Sequence, residues 1–99
     1  MTQATIDTLY DIIAKRADED ANLSYTARMM QNGRGKIAQK LGEEAVECVI
    51  EVMKNDKDLL IEESADLLYH LTLAWYASAV KPDEVWACLQ ERMDKGGKS

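Results

Sequence analysis

The 99-residue sequence contains no phenylalanine, only one proline and only five glycines. Glycine and proline are too scarce for a collagen-like chain, and hydrophobic residues, at 46%, are too frequent for a disordered one. Alanine, leucine, glutamate, lysine and methionine are common, and helices accommodate these residues at little entropic cost, whereas strands prefer aromatic and β-branched residues. Because a chain of this length holds one core, we predict a single all-α domain over residues 1–99.

Positive charge is also scarce, since 12 lysines and arginines against 18 acids give a formal net charge of -6. An acidic chain binds the phosphate backbone poorly, so nucleic acid is not an expected partner. Cys48 and Cys88 lie far apart in sequence without a neighbouring metal-ligand pair, which indicates neither a disulfide framework nor a zinc site. The N-terminus lacks a secretory pattern and no apolar run suits a membrane span, so we expect a cytoplasmic protein with no membrane partner.

Hydrophobic periodicity predicts five helices separated by polar or glycine-containing breaks. The second helix is short, with Asn22 or Ser24 as its N-cap, and the fifth begins at Pro82 with acids in its first turn. The predicted helices cover about residues 5–19, 25–30, 36–54, 59–80 and 82 to the glycines at 96 and 97. A polar turn at 55–58 is short enough to make the third and fourth helices antiparallel neighbours.

Acidic residues lie on the apolar side of the third and fourth helices. At about 100° per residue, Glu44 lies at the edge of an apolar arc and Glu47 faces nearly the same way. That arc comprises Ile37, Leu41, Ala45, Cys48, Val49 and Val52. On the fourth helix one stripe comprises Leu59, Glu63, Asp66, His70, Leu73 and Ala77, and residues 67–80 form a mostly buried segment without Asp, Glu, Lys or Arg. We therefore expect the two acid pairs to converge between the helices.

Converging carboxylates require compensation, because a buried carboxylate costs several kcal/mol unless it is neutralised, paired or bound to a cation. A purely oxygen-based ligand set suits Mg²⁺, or Mn²⁺ as a substitute, far better than zinc. Such ions bridge phosphate oxygens, so the site predicts hydrolysis of a phosphate ester or anhydride by a water held by the metal. The other acids of these helices, Glu43, Glu51 and Glu62, look solvated.

Basic residues cluster at the start of the third helix, where the helix dipole also favours an anion. Arg34, Lys36 and Lys40 could therefore bind phosphates. The two lysines could equally form ordinary helical ion pairs with Glu43 or Glu44.

Several uncharged or aromatic residues have two open interpretations. Tyr25, Thr26, Met29 and Met30 could line a substrate pocket or pack in the core. His70 could be a ligand or base, or a core histidine with its hydrogen bonds satisfied.

Three segments together resemble the phosphoribosyl-ATP pyrophosphohydrolase family. They are SYT at residues 24–26, IAQKLGEEAVE at residues 37–47 and EESADLLYH at residues 62–70, with Gly33 between the first two. The resemblance extends from Leu9 to about Arg92. The wider superfamily comprises the all-α, MazG-like nucleoside triphosphate pyrophosphohydrolases. The resemblance therefore implies a bundle of about five helices with a dimeric four-helix-type core.

The resemblance also implies a metal site and a reaction. In the superfamily, Glu-x-x-Glu and Glu-x-x-Asp pairs hold magnesium, and they fall here on Glu44, Glu47, Glu63 and Asp66. The implied reaction is the second step of histidine biosynthesis, in which water cleaves phosphoribosyl-ATP between the α and β phosphates to phosphoribosyl-AMP and pyrophosphate. One carboxylate, Glu47 in our interpretation, would orient or deprotonate the attacking water.

Substrate contacts and partners follow from the same resemblance. Lys40, Lys36 and Arg34 would neutralise the pyrophosphate leaving group, Tyr25 would lie at the substrate, and His70 would buttress or contact the site. Similar enzymes are homodimers with the site near the interface, and the fourth helix here is apolar on too many sides for one small bundle to cover. The phosphoribosyl-AMP cyclohydrolase that acts next is a candidate functional partner.

Two other functions remain open. A house-cleaning nucleoside triphosphate pyrophosphohydrolase would use the same metal site with a different base and sugar pocket. A noncatalytic helical interaction module would use the acids only to bind a stabilising cation.

Overall fold

The structure is a computed structural model that describes residues 3–96. Its helices are α1 (Gln3–Arg16), α2 (Tyr25–Asn32), α3 (Arg34–Lys54), α4 (Lys57–Ala77) and α5 (Pro82–Asp94). Residues 3–96 contain no strand. The predicted all-α class and the predicted five helices are therefore confirmed.

Helix boundaries differ from the predicted ones by up to three residues. α1 ends at Arg16 instead of residue 19, and the Ser24 hydroxyl donates to the Arg16 carbonyl oxygen at 3.4 Å. The predicted loop at 32–35 shrinks to Gly33, whose φ of 92° suits a residue without a side chain and joins α2 to α3. α4 begins at Lys57, two residues earlier than expected, because the Asp56 carboxylate accepts a hydrogen bond from the Leu59 N–H at 3.1 Å.

α4 also ends early, at Ala77 instead of residue 80, because Ala79 adopts the left-handed conformation with φ 58°. The N–H groups of Ala79 and Val80 donate to the carbonyl oxygens of Tyr76 and Trp75 at 3.2 and 2.9 Å. This is the Schellman arrangement that terminates many helices, with alanine where glycine is usual.

Two antiparallel helices, α3 and α4, form the largest packed pair, and α1 also packs against α4. The buried hydrophobic cluster comprises Ile13, Met29, Ile37 and Leu73, one from each of α1 to α4. α5 is joined to this unit by Trp86, whose indole N–H donates to Asp7 at 3.3 Å and whose ring meets Trp75 edge to face. α5 begins at Pro82 as predicted, and the Glu84 carboxylate caps its N-terminus by accepting from the Lys81 N–H at 2.9 Å.

The half of the α3–α4 hairpin nearest its turn lies outside the core, and no residue from 45 to 69 is buried. The predicted apolar arc of α3 is therefore only partly internal. Val49 and Val52 are 60% and 58% exposed, although α3 packs along α4 as its main partner. The expectation of a mostly buried fourth helix is likewise too broad, since Leu68 is 46% exposed whereas Thr72 and Leu73 are fully enclosed.

None of the helices formed by residues 3–96 combines the length and the apolar character that crossing a bilayer requires.

We expect Ala79→Gly to raise the free energy of unfolding by about 0.5–1 kcal/mol, because glycine removes the left-handed strain of alanine at a partly offsetting cost in chain entropy. Ala77→Gly is the matched control. It lies in the last helical turn, so it should lower stability by about 1 kcal/mol. Urea unfolding followed by circular dichroism measures both changes, and a loss of stability in Ala79→Gly would contradict this account of the α4 terminus.

Candidate metal and active site

Three carboxylates from α3 and α4 meet where the hairpin leaves the core. Glu44, Glu63 and Asp66 each offer an oxygen, and these atoms lie within 4.8 Å of one another. Glu44 is only 8% exposed, and one oxygen each of Glu44 and Glu63 is buried without a hydrogen-bond partner. Asp66 is exposed and faces solvent at the rim of the cluster. Orphaned carboxylate oxygens of this kind call for a cation, since water does not reach them.

Glu47, one turn after Glu44, joins the cluster from its exposed side. A hydrogen bond between the Glu47 and Glu63 carboxyl groups, together with burial and the charges of Glu47, Glu44 and Asp66, raises the pKa of Glu63 to about 7. Protonation of Glu63 therefore relieves part of the repulsion among these carboxylates as the pH falls through about 7.

The donor set fits a hard divalent cation. Every group that converges is a carboxylate oxygen, and the described residues place no cysteine or histidine in the same group. Mg²⁺ and Mn²⁺ prefer oxygen ligands and retain waters, which suits a cluster open on the Asp66 and Glu47 side. A cation here would satisfy the buried oxygens of Glu44 and Glu63 and compete with protonation of Glu63.

His70 connects the cluster to α2. Its Nδ1 lies 2.8 Å from the Asp66 carbonyl oxygen, which only accepts, so Nδ1 carries the hydrogen. Nε2 of the neutral ring therefore accepts from the Tyr25 hydroxyl at 2.9 Å. Since His70 is 7% exposed with both nitrogens bonded inside the chain, its side chain holds Tyr25 beside the backbone that carries Asp66.

Nearby charges also affect the pKa of the Tyr25 hydroxyl. Burial raises the pKa of its hydroxyl, Tyr69 and Glu44 act in the same direction, and Lys40 and Arg28 oppose them. The hydroxyl therefore stays protonated at neutral pH, and the charges of both Lys40 and Glu44 act on it. The Tyr25 side chain is 38% exposed, which leaves one side of it free to contact a ligand.

Each residue of the SYT segment forms a hydrogen bond that fixes α2 in place. Ser24 caps α2 by accepting from the Ala27 N–H at 3.1 Å. Thr26 and Tyr69 share a short hydroxyl hydrogen bond that ties α2 to α4. Sequence reasoning assigned no role to Tyr69, although its place beside His70 in EESADLLYH was a signal for it.

The basic residues are spread along α3. Lys40 pairs with Glu43 at 3.3 Å and lies near Tyr25. Arg34 and Lys36 are exposed, and Arg34 lies ten residues before Glu44, about 15 Å along the helix axis. Arg34 instead borders a small apolar cavity of about 190 Å³ with Ala77. Of these three cations, Lys40 lies nearest Glu44, which follows it by four residues, or about 6 Å along the axis of α3.

The three acids interpreted as solvated differ in the structure. Glu43 and Glu62 are exposed as expected. Glu51 is partly enclosed, and one of its oxygens is buried without a partner, because the side chain lies against the α3–α4 turn. The expectation is therefore wrong for Glu51.

Comparison with known proteins bears on this geometry. The family model for phosphoribosyl-ATP pyrophosphohydrolase matches residues 6–93. The chain belongs to this family. The predicted family and hydrolase class are thereby confirmed, and all the carboxylates of the cluster lie within the part of the chain that matches the phosphoribosyl-ATP pyrophosphohydrolase model.

Individual relatives agree. A phosphoribosyl-ATP pyrophosphatase of Granulibacter bethesdensis is 49% identical over 88% of this chain and 54% of its own length. Proteins of the same name from Gluconobacter oxydans and Paramagnetospirillum magneticum are 46% and 49% identical, over 96% and 93% of this chain and 71% and 84% of their own. The chain spans about half the length of the Granulibacter protein.

We expect Mg²⁺ to stabilise the chain more at about pH 8 than at about pH 6, because the ion competes with the proton of Glu63. Without metal, the raised pKa of Glu63 contributes stability that is complete below about pH 4.5 and is lost as the pH rises through about 7. Thermal unfolding with Mg²⁺ or EDTA at both pH values measures this.

Two variants serve as matched tests. Glu63→Gln should flatten both the pH dependence and the response to Mg²⁺. The exposed neighbour should not matter, so Glu62→Gln should behave as wild type. Equal stabilisation by Mg²⁺ in Glu63→Gln and Glu62→Gln would refute the assignment of the cluster as the cation site.

Proposed function

We propose that this chain, acting as one domain, hydrolyses phosphoribosyl-ATP between its α and β phosphates and releases phosphoribosyl-AMP and pyrophosphate. The observation that carries the proposal is the convergence of Glu44, Glu63 and Asp66 within 4.8 Å, with buried unpartnered oxygens, in a member of the phosphoribosyl-ATP pyrophosphohydrolase family. The cofactor is Mg²⁺, with Mn²⁺ as a substitute, because only carboxylate oxygens converge.

These three residues and Glu47 would hold the metal, which when bound supplies positive charge to the triphosphate. In the proposed reaction a water oxygen forms a bond to the α phosphorus while the bond from that phosphorus to the bridging oxygen of the β phosphate breaks. Pyrophosphate leaves with the bridging oxygen, and the proton of the water passes to a carboxylate. Lys40, nearest among the cations, stabilises the charge that develops on the pyrophosphate.

Glu47 is our candidate for the proton acceptor. It is exposed, it lies outside the closest group of three carboxylates, and it is hydrogen-bonded to Glu63. A general base must lie where it can contact both the attacking water and the residues that hold the metal. Glu47 meets both conditions, because it is exposed to solvent and bonded to Glu63. Tyr25 would contact the substrate, His70 would keep Tyr25 in place, and Arg34 and Lys36 would act on the outer phosphates.

The same proposal includes a cytoplasmic location, because nucleotide substrates of this kind are made and used there. It also includes a functional link to the phosphoribosyl-AMP cyclohydrolase, which acts on the product.

We propose, further, that the chain is a homodimer built on the exposed half of the α3–α4 hairpin. Four apolar residues of α3 follow an i, i+3, i+4, i+7 pattern on one exposed face, namely Val46, Val49, Ile50 and Met53, which are 57%, 60%, 42% and 80% exposed. Ile61 and Leu68 of α4 are 59% and 46% exposed. Two such hairpins together would form a four-helix core that covers these side chains.

We expect Glu44→Gln and Asp66→Asn to lower kcat by at least about a hundredfold, because each removes a carboxylate from the cation site. Glu62→Gln is the control and should keep wild-type kcat. The measurement is pyrophosphate release from phosphoribosyl-ATP and from ordinary nucleoside triphosphates, with Mg²⁺ or with EDTA.

Each result of this panel has one meaning. Mg²⁺-dependent release that prefers phosphoribosyl-ATP supports the proposal. Release only from ordinary triphosphates would assign the chain to house-cleaning hydrolysis, and release from no substrate would indicate a noncatalytic cation site.

The dimer has its own test in size-exclusion chromatography with light scattering. We expect Val49→Lys to weaken association by about 30-fold or more, because it places a charge in the middle of the apolar stripe. Ala87→Lys, on an exposed position of α5, adds the same charge elsewhere and should leave the wild-type mass unchanged. A monomeric wild type, or an unaffected Val49→Lys, would contradict the proposed interface.

A further inference from the structure

A cavity of about 580 Å³ lies between the end of α1 and the start of α2, and of the residues given a role in the reaction above only Tyr25 lines it. Its walls include Arg16, Glu19, Ser24, Tyr25, Thr26 and Tyr69. The volume is in the range of small-molecule sites, about 300–1,000 Å³. The lining is polar and carries charges of both signs, which is unusual for a simple packing defect.

Tyr25 and His70 link the cavity to the carboxylate cluster. Tyr25 lines the cavity, while its hydroxyl donates to His70, which in turn bonds to the backbone of Asp66. The charges of Lys40 and Glu44 also act on the pKa of the Tyr25 hydroxyl, in opposite directions. A substrate whose triphosphate occupies the cluster therefore reaches the cavity by passing along Tyr25.

The free side chains at the cavity suit a phosphorylated sugar. Arg16 is exposed, and it forms no salt bridge with any carboxylate in the described part of the chain, so its guanidinium is available to a phosphate. Glu19 is an acceptor for sugar hydroxyls. The hydroxyl pair of Thr26 and Tyr69 and the cap made by Ser24 fix the floor of the cavity.

We propose that this cavity binds the phosphoribosyl group, with Arg16 on its phosphate and Glu19 on its hydroxyls. This inference rests on the proposed function. It identifies the cavity as the part of the site that distinguishes phosphoribosyl-ATP from ATP. Arg16 is then a specificity-determining residue at the opposite end of the substrate from the cleaved bond.

Product inhibition tests this directly, because phosphoribosyl-AMP carries the phosphoribosyl group and pyrophosphate does not. Arg16→Gln should raise KM for phosphoribosyl-ATP and Ki for phosphoribosyl-AMP by about 10- to 100-fold, the usual effect of losing a charge-assisted hydrogen bond. Ki for pyrophosphate should stay within about twofold of wild type, since that product leaves from the other end.

Arg92→Gln is the matched control, since it removes an exposed arginine from α5, outside the cavity. All its constants should equal those of wild type. Arg16→Gln should leave the end of α1 intact, because Ser24 bonds to the Arg16 carbonyl oxygen and not to the side chain. A circular dichroism melt equal to that of wild type would show that the variant folds.

The outcomes distinguish failure of the cavity assignment from failure of the proposed function. If Arg16→Gln raises Ki for both products equally, or for neither, while wild type hydrolyses phosphoribosyl-ATP, the cavity assignment is overturned and the proposed function stands. If wild type releases no pyrophosphate from phosphoribosyl-ATP, the proposed function fails, and the cavity assignment fails with it.

Discussion

Carboxylates from two antiparallel helices converge at the point where the α3–α4 hairpin leaves the core, and their mutual repulsion has to be balanced by a proton or a cation. Glu44 is enclosed on the core side, whereas Glu47 and Asp66 face solvent. Burial on one side makes the charge costly, and openness on the other lets a cation arrive with its waters and a substrate. The site therefore depends on its place at this boundary as much as on its residues.

The short helix α2 is attached to α4 next to the carboxylate cluster. α2 is eight residues long, too short to be stable alone, and tertiary bonds hold it in place. Tyr25 bonds to His70, and Thr26 to Tyr69, so two consecutive residues of α2 are attached to two consecutive residues of α4. This double attachment orients α2 and closes one side of the cluster. The SYT segment, predicted to contact the substrate, thus also holds α2 against α4.

The acid pairs were predictable from sequence because helical periodicity determines which side chains share a face, and a short turn determines that the two helices are neighbours. Burial along α3 was not predictable, because the same apolar arc is internal at Ile37 and exposed at Val49. That difference depends on where α1 and α2 stop covering the hairpin. Arg16 escaped sequence reasoning for a similar reason, since only the tertiary packing brings the end of α1 beside Tyr25.

The apolar stripe and the acid cluster are physically coupled. Glu47 borders Val46 and Ile50 on the same exposed side of α3, and these residues line one shallow surface cavity. A second chain that covered the stripe would also remove water from around Glu47, and lower polarity strengthens every interaction of its carboxylate with a cation or a proton. Association and catalysis would then respond to the same surface, because the residues that attract a second copy are the neighbours of the proposed base.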